Sequence, residues 1–152
     1  MAVPTTLRFG AGAFYLGDAA TPEVFTKICG FTSVELTIDK STNDTTVPDC
    51  DDPDAAAWTE KDVDALSWSM SFSGVCAVGG LDLLDGVTMQ SASRNVRLDF
   101  AGAGTGAGTT VRRYAGKGHV KHAITGSRGE KYQIKVDVDG DGALTKTSVA
   151  AS

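Results

Sequence analysis

Apolar and polar positions alternate along several short stretches of this chain, the period expected of half-buried β-strands. The clearest stretch is Leu66 to Val75, where Leu66, Trp68, Met70 and Phe72 alternate with Ser67, Ser69, Ser71 and Ser73. One face is therefore bulky and apolar, the other a row of hydroxyls. From Ala13 to Lys40 the pattern reads strand, turn, strand, turn, strand, broken by the Asp18 to Pro22 turn signal and by Gly30. In its last strand Val34, Leu36 and Ile38 oppose Glu35, Thr37 and Asp39. Val96, Leu98 and Phe100 oppose Asn95, Arg97 and Asp99, and Tyr132, Ile134, Val136 and Val138 share a face. Val111 to Thr125 predicts one strand with a turn or bulge at Gly116-Lys117-Gly118. A final strand, Leu144 to Val149, follows the turn Asp139-Gly140-Asp141-Gly142. The period changes only after Gly79-Gly80, where Leu81, Leu83, Leu84, Val87 and Met89 recur at spacings near three and four. That spacing predicts one short amphipathic helix lying over an open side of a sheet.

Two segments carry no such period. Ser41 to Asp64 holds Pro48, Pro53 and eight acids, including Asp49, Asp51 and Asp52, and predicts a long irregular loop. Its Trp58 needs an apolar surface, either the chain's own core or a neighbour's. Ala101 to Thr110, with Gly102, Gly104, Gly106 and Gly108 separated by single small residues, predicts a flexible loop.

Composition narrows the picture. With 152 residues, 41% of them hydrophobic, the chain is expected to form one domain over 1–152. Glycine, 18 residues or about 12% against a usual 7%, adds turns and favours a β-rich class. A net charge of -5 argues against a surface that grips nucleic-acid phosphates. Apolar runs fall far short of the roughly 18 to 20 residues that span a bilayer, and the first residues lack a signal-peptide pattern, so the expectation is a protein made in the cytoplasm with no membrane partner. Cys29, Cys50 and Cys76 are too few for a disulfide scaffold; Cys29 and Cys76 are expected as small buried residues and Cys50 as a loop thiol.

Candidate chemistry is sparse. Asp137, Asp139, Asp141 and Gly142 match positions 1, 3, 5 and 6 of a calcium loop, but Ser148 stands where a bidentate Glu is needed, and Asp-Gly is also a common hairpin turn. A hairpin is the preferred reading, with a weak cation site at these aspartates as the alternative. The Gly102 to Gly108 segment has neither the spacing nor the following residues of a phosphate loop. His119 and His122, three apart in a strand, point to opposite faces. No serine sits in a nucleophile elbow, and Asn43-Asp44-Thr45 is a glycosylation sequon without a secretory signal. Arg112, Arg113, Lys117 and Lys121 form a modest basic strip expected to pair with the acidic loop of this or a neighbouring chain. The expectation is a protein that is not an enzyme and uses no cofactor.

The order of elements, the segment Ile28-Cys29-Gly30-Phe31-Thr32-Ser33, the strand Ser69-Met70-Ser71-Phe72-Ser73-Gly74 with its following helix, and Gly129-Glu130-Lys131-Tyr132 with Val136 to Thr147 are similar to corresponding parts of the major tail tube proteins of long-tailed bacteriophages. The resemblance covers about residues 13 to 150 and carries no catalytic signature. The acidic loop and the Gly102 to Gly108 segment depart from the family in composition. The resemblance implies a mainly β fold, a two-sheet β-sandwich or partial barrel with one short flanking α-helix. It also implies a virion protein assembled in the host cytoplasm as homohexameric rings that stack into a tube. Its partners would be other copies, the terminator, baseplate and tape measure proteins, and viral DNA in transit without specific binding. On this reading Asp49, Asp51, Asp52 and Trp58 belong to a subunit interface, and Ser67, Ser69, Ser71 and Ser73 face the lumen or a polar seam. The alternative is a β-sandwich binding module for adhesion or carbohydrate, with a calcium-stabilised loop at Asp137 to Asp141 and Trp58 or Trp68 as a ligand platform.

Overall fold

The computed structural model describes residues 3–150; Met1, Ala2, Ala151 and Ser152, part of the expected domain span, lie outside the described residues. After a short 3-10 turn at Phe9–Ala11 come β1 (Gly12–Gly17), β2 (Phe25–Ile28), β3 (Phe31–Thr46), β4 (Thr59–Val75), α1 (Leu81–Thr88), β5 (Arg94–Gly106), β6 (Thr109–Thr125), β7 (Gln133–Gly140) and β8 (Thr145–Val149). The strands form one antiparallel sheet in the order β2-β1-β5-β6-β7-β4-β3, with β8 also on β6. The first and last strands of that order are joined by only Cys29-Gly30, so the sheet must curl until its edges approach each other at this corner. In place of the expected two sheets, one sheet bends so that its apolar face closes on itself. Gly30 turns the corner at φ 97°, and its carbonyl accepts the N–H of Val75 at 2.9 Å. A Cβ there would lie 2.6 Å from the Val75 carbonyl oxygen, so the corner requires glycine.

Curling brings the apolar faces together. Phe14 of β1 and Phe72 of β4 stand four places apart in the strand order, yet their ring centroids are 4.3 Å apart, with Phe31 5.2 Å from Phe72. Such aromatic pairs add about 0.5–1.5 kcal/mol beyond the area they bury. Leu16 completes the centre together with Met70, Val96, Leu98, Ile134, Val136 and Val138, the latter six being inward positions that the alternation assigns. The expected helix forms as α1, burying Leu84 and Val87 against the sheet. Met89 and Tyr132, expected on apolar faces, are exposed because each lies just beyond its element.

Several expectations are corrected. Ser41 to Asp64 is not an irregular loop: β3 and β4 continue as a two-stranded ribbon to the pair Thr46–Thr59, leaving only residues 47–58 irregular. Leu66 belongs to this ribbon beyond the core and is 68% exposed. Ala101 to Thr110 is also a hairpin, closed by Ala107-Gly108 between paired Gly106 and Thr109. Gly104 permits an approach to the Thr109 backbone that any side chain would block. β6 runs unbroken through Gly116 and Gly118, paired to β5 and then β7. Nor does Asp139 to Gly142 reverse the chain. β7 and β8 lie end to end along the same edge of β6, with Gly140 opposite Gly118 and Thr145 opposite Ala115, so residues 141–144 bulge out between them. Cys29 is exposed at the β2–β3 corner rather than buried, and Cys76 is half-buried.

Candidate functional site: an assembly surface

The β3–β4 ribbon projects the acidic loop. Its end is zipped by Lys61 Nζ on Asp44 Oδ1 at 2.7 Å and by a hydroxyl bond between Thr46 and Thr59 at 3.2 Å. Beyond that pair the Asp51 N–H donates to Asp49 Oδ1 at 2.9 Å, and the Ala55 N–H donates to the Asp52 carbonyl at 3.1 Å, giving the loop local turns. Asp49, Asp51, Asp52 and Trp58 are all exposed. Trp58, next to the last ladder pair, is 93% exposed, so it does not pack on its own core.

The serine row lies on the opposite face of β4 from the buried Trp68, Met70 and Phe72, with Ser69, Ser71 and Ser73 half-buried and Ser67 exposed. Ladder register extends this face sideways: Ser69 is flanked by Thr37 and Asp139, Ser71 by Glu35 and Asp137, and Ser73 by Ser33 and Lys135. Ser71 Oγ donates to Asp137 Oδ1 at 2.9 Å, and Lys121 Nζ donates to Asp139 Oδ2 at 3.2 Å. The Asp141 N–H donates to the Lys117 carbonyl at 2.8 Å, and its carboxylate stands 3.8 Å from His119 Nε2. Asp137 and Asp139 are members of the serine face with separate partners, Ser71 and Lys121. Among the described residues no group of three candidate cation ligands converges. Trp68, 6% exposed, offers no ligand platform.

The basic strip is also dispersed. Arg113 makes a two-pronged ion pair with buried Asp99, at 3.0 Å from Nε and 3.1 Å from Nη2. Arg112 points to the other side and donates to the Ala103 carbonyl at 3.1 Å. None of Arg112, Arg113 and Lys121 pairs with the acidic loop within the chain. Beside the Arg113–Asp99 pair, Arg97 stands 3.5 Å over the Phe25 ring; burial, with Arg113 close by, holds its affinity for the proton below the usual arginine range.

One cluster was not foreseen. His122 is nearly buried between β6 and α1, its Nε2 3.0 Å from Asp85 Oδ1 and its Nδ1 2.7 Å from Thr88 Oγ1. Asp85 and Thr88 are three apart on α1, one helix face, which is the only local signal that they could grip a common partner. Both nitrogens are occupied by side chains that fix the helix to the sheet. Among the described residues no helix is long and apolar enough to cross a membrane.

The described residues thus form a curled antiparallel sheet with a projecting two-stranded arm. The sequence matches the phage tail tube protein family over residues 11–146, and the chain belongs to that family. It is a structural component of the virion tail, not an enzyme. No match is found among proteins of curated function. Similar solved structures include the tail of an empty gene transfer agent particle, determined with C6 symmetry, with a TM-score of 0.71 at 15% identity over 94% of this chain and 100% of that one. The SPP1 tail tube has a TM-score of 0.67 at 8% identity, covering 96% and 81%. A chain of the sheath–tube complex of an extracellular contractile injection system has 0.61 at 14%, covering 97% and 95%. These likenesses establish the shared fold.

Proposed function

We propose that the whole chain acts as one tail tube domain, a subunit of homohexameric rings that stack into a tube and conduct genomic DNA. The observation that carries this reading is β3. Among the described residues this strand of 16 residues pairs with β4 alone, leaving a long outer edge that invites pairing with another sheet. Edge-to-edge closure in a ring removes that liability. The six-fold symmetry stated for the gene transfer agent tail supports six as the ring number. Asp49, Asp51, Asp52 and Trp58 then lie at a subunit interface, because the ribbon holds them clear of their own domain. The face of Ser67, Ser69, Ser71 and Ser73 is the best candidate for the lumen. It combines hydroxyls with Glu35, Asp39, Asp137 and Asp139, which outnumber Lys121 and Lys135 on the same face, and a surface whose net sign matches that of DNA lets it slide without trapping. Terminator, baseplate and tape measure proteins would be the further partners, met during assembly in the host cytoplasm. Solved structures of similar fold come from an anti-feeding prophage cap and baseplate, which supports contacts at tube ends. Electron microscopy of the purified protein tests the reading. Six-fold rings or tubes are expected, and monodisperse single subunits at every concentration would overturn it.

A further inference from the structure

We infer that Trp58 of one subunit seats in an apolar groove of a second copy, the groove between the base of the β3–β4 ribbon and the β7–β8 bulge. The inference rests on the tube reading and names the surface that receives the acidic loop. The groove, about 340 Å³, is lined by Ile38, Leu66, Trp68, Gly140, Ala143 and Leu144. Ile38 and Leu66 are more than half exposed although they continue the core face of their strands. The curled sheet thus leaves an apolar slot at its open end, just as the ribbon leaves an unprotected indole at its tip.

Geometry excludes the chain's own Trp58 as occupant. Leu66 lies in the groove, and Trp58 is eight residues further along one extended strand, about 26 Å away at 3.3 Å per residue. Apart from a bulge at Asp64, the intervening residues are held in the ladder as far as Thr59, so Trp58 could fold back only if the ribbon came apart. Charge points to the same partner. Lys40, paired with Leu66, shares the groove's face, and so does Lys146, set opposite Tyr114 in line with Leu144. Against these two lysines the loop brings Asp49, Asp51, Asp52 and Asp54 on the same short segment as its one aromatic side chain. A knob on one copy meeting a slot elsewhere on the next is a head-to-tail contact, which propagates instead of closing as a dimer.

Acrylamide quenching of tryptophan emission and a mixing experiment test this. In free subunits Trp58 should be quenched freely; in assembled protein it should be protected. Trp58→Ala and Leu66→Glu alter exposed side chains, so both variants should remain folded by circular dichroism while failing to form tubes alone. Mixed together, they retain one intact knob and one intact groove. They should form paired species, two subunits or two rings, and no longer chains. The proposal is overturned if Trp58 stays quenchable in tubes, if Leu66→Glu assembles normally, or if the mixture gives no pairs while the unaltered protein assembles. Loss of all assembly in the unaltered protein would overturn the tube reading as well, so the two failures are distinguishable.

Discussion

The indole N–H of Trp68 donates to the carbonyl oxygen of Gly142 at 3.0 Å, tying the centre of β4 to the bulge between β7 and β8. The ring lies over glycines of two other strands. A Cβ on Gly116 would come within 2.8 Å of Trp68 Cζ2, and one on Gly140 within 2.6 Å of Cε2. Three features that look unrelated in the sequence, a strand tryptophan, glycines inside strands and an Asp-Gly repeat, are therefore one packing unit.

Trp68→Ala should cost on the order of 3–5 kcal/mol, the range for large aromatic truncations in cores, read from urea denaturation midpoints. Gly140→Ala should also destabilise, since the added methyl meets both the indole and the Trp68 carbonyl. Ser69→Ala, on the opposite face, should cost little. If Ser69→Ala unfolds the protein and Trp68→Ala does not, β4 presents its faces the other way.

His122→Ala should loosen α1 without unfolding the sheet. It removes the partner of both Asp85 and Thr88, and losing hydrogen bonds of this kind costs about 1–3 kcal/mol. Hydrogen exchange would show it as faster exchange of the Leu84 to Thr88 amides, with the Val96 and Leu98 amides unchanged. Uniform acceleration across sheet and helix would count against a local clamp.

What the sequence reveals here depends on what each residue faces. The Trp68-Met70-Phe72 alternation is legible because one face of β4 is buried and the other is not. Past Ser41 and Ala65 the same two strands are solvated on both faces, so no alternation remains, and Thr42, Thr45, Thr46 and Thr59 read as loop although they suit a strand. The segment from Gly102 to Gly108 misleads in the opposite way. Glycine lacks side-chain preference for strands, yet the β5–β6 ladder and the bonds from Thr105 to Ser148 and Arg112 to Ala103 hold it. Asp139-Gly140-Asp141-Gly142 has the local chemistry of a reversal, but the long β6 offers β8 a continuing edge, a choice made at long range. The Asp85–His122 pair is long-range for the same reason.

Acid should weaken the β1–β2 turn through Asp18. Its carboxylate accepts the N–H groups of Ala20 at 2.9 Å and Val24 at 3.1 Å, and these bonds hold its pKa below the ordinary 3.8. A carboxyl with a depressed folded pKa contributes stability that is fully present above the unfolded value and is lost as pH falls through the folded one. Asp18→Asn removes the titration, so its stability deficit relative to the unaltered protein should shrink as pH drops below 3.8. A deficit independent of pH, measured by denaturation at a series of pH values, would show that the charge plays no part.

Deleting Asp49 to Ala57 should leave a folded subunit that cannot polymerise. The deletion keeps the last ladder pair, Thr46 with Thr59, and its hydroxyl bond, and leaves Val47, Pro48 and Trp58 to close a three-residue turn, a length that hairpins accommodate. Nothing in the buried core touches the removed residues, all of which are exposed. Stability measured by denaturation should therefore stay near that of the full chain, while sedimentation and electron microscopy should find single subunits where the full chain gives rings or tubes. The comparison separates two roles for the loop. If it served only to cap the ribbon, the shortened hairpin would cap it equally well and tubes of normal appearance would form, which would remove Asp49, Asp51 and Asp52 from the interface.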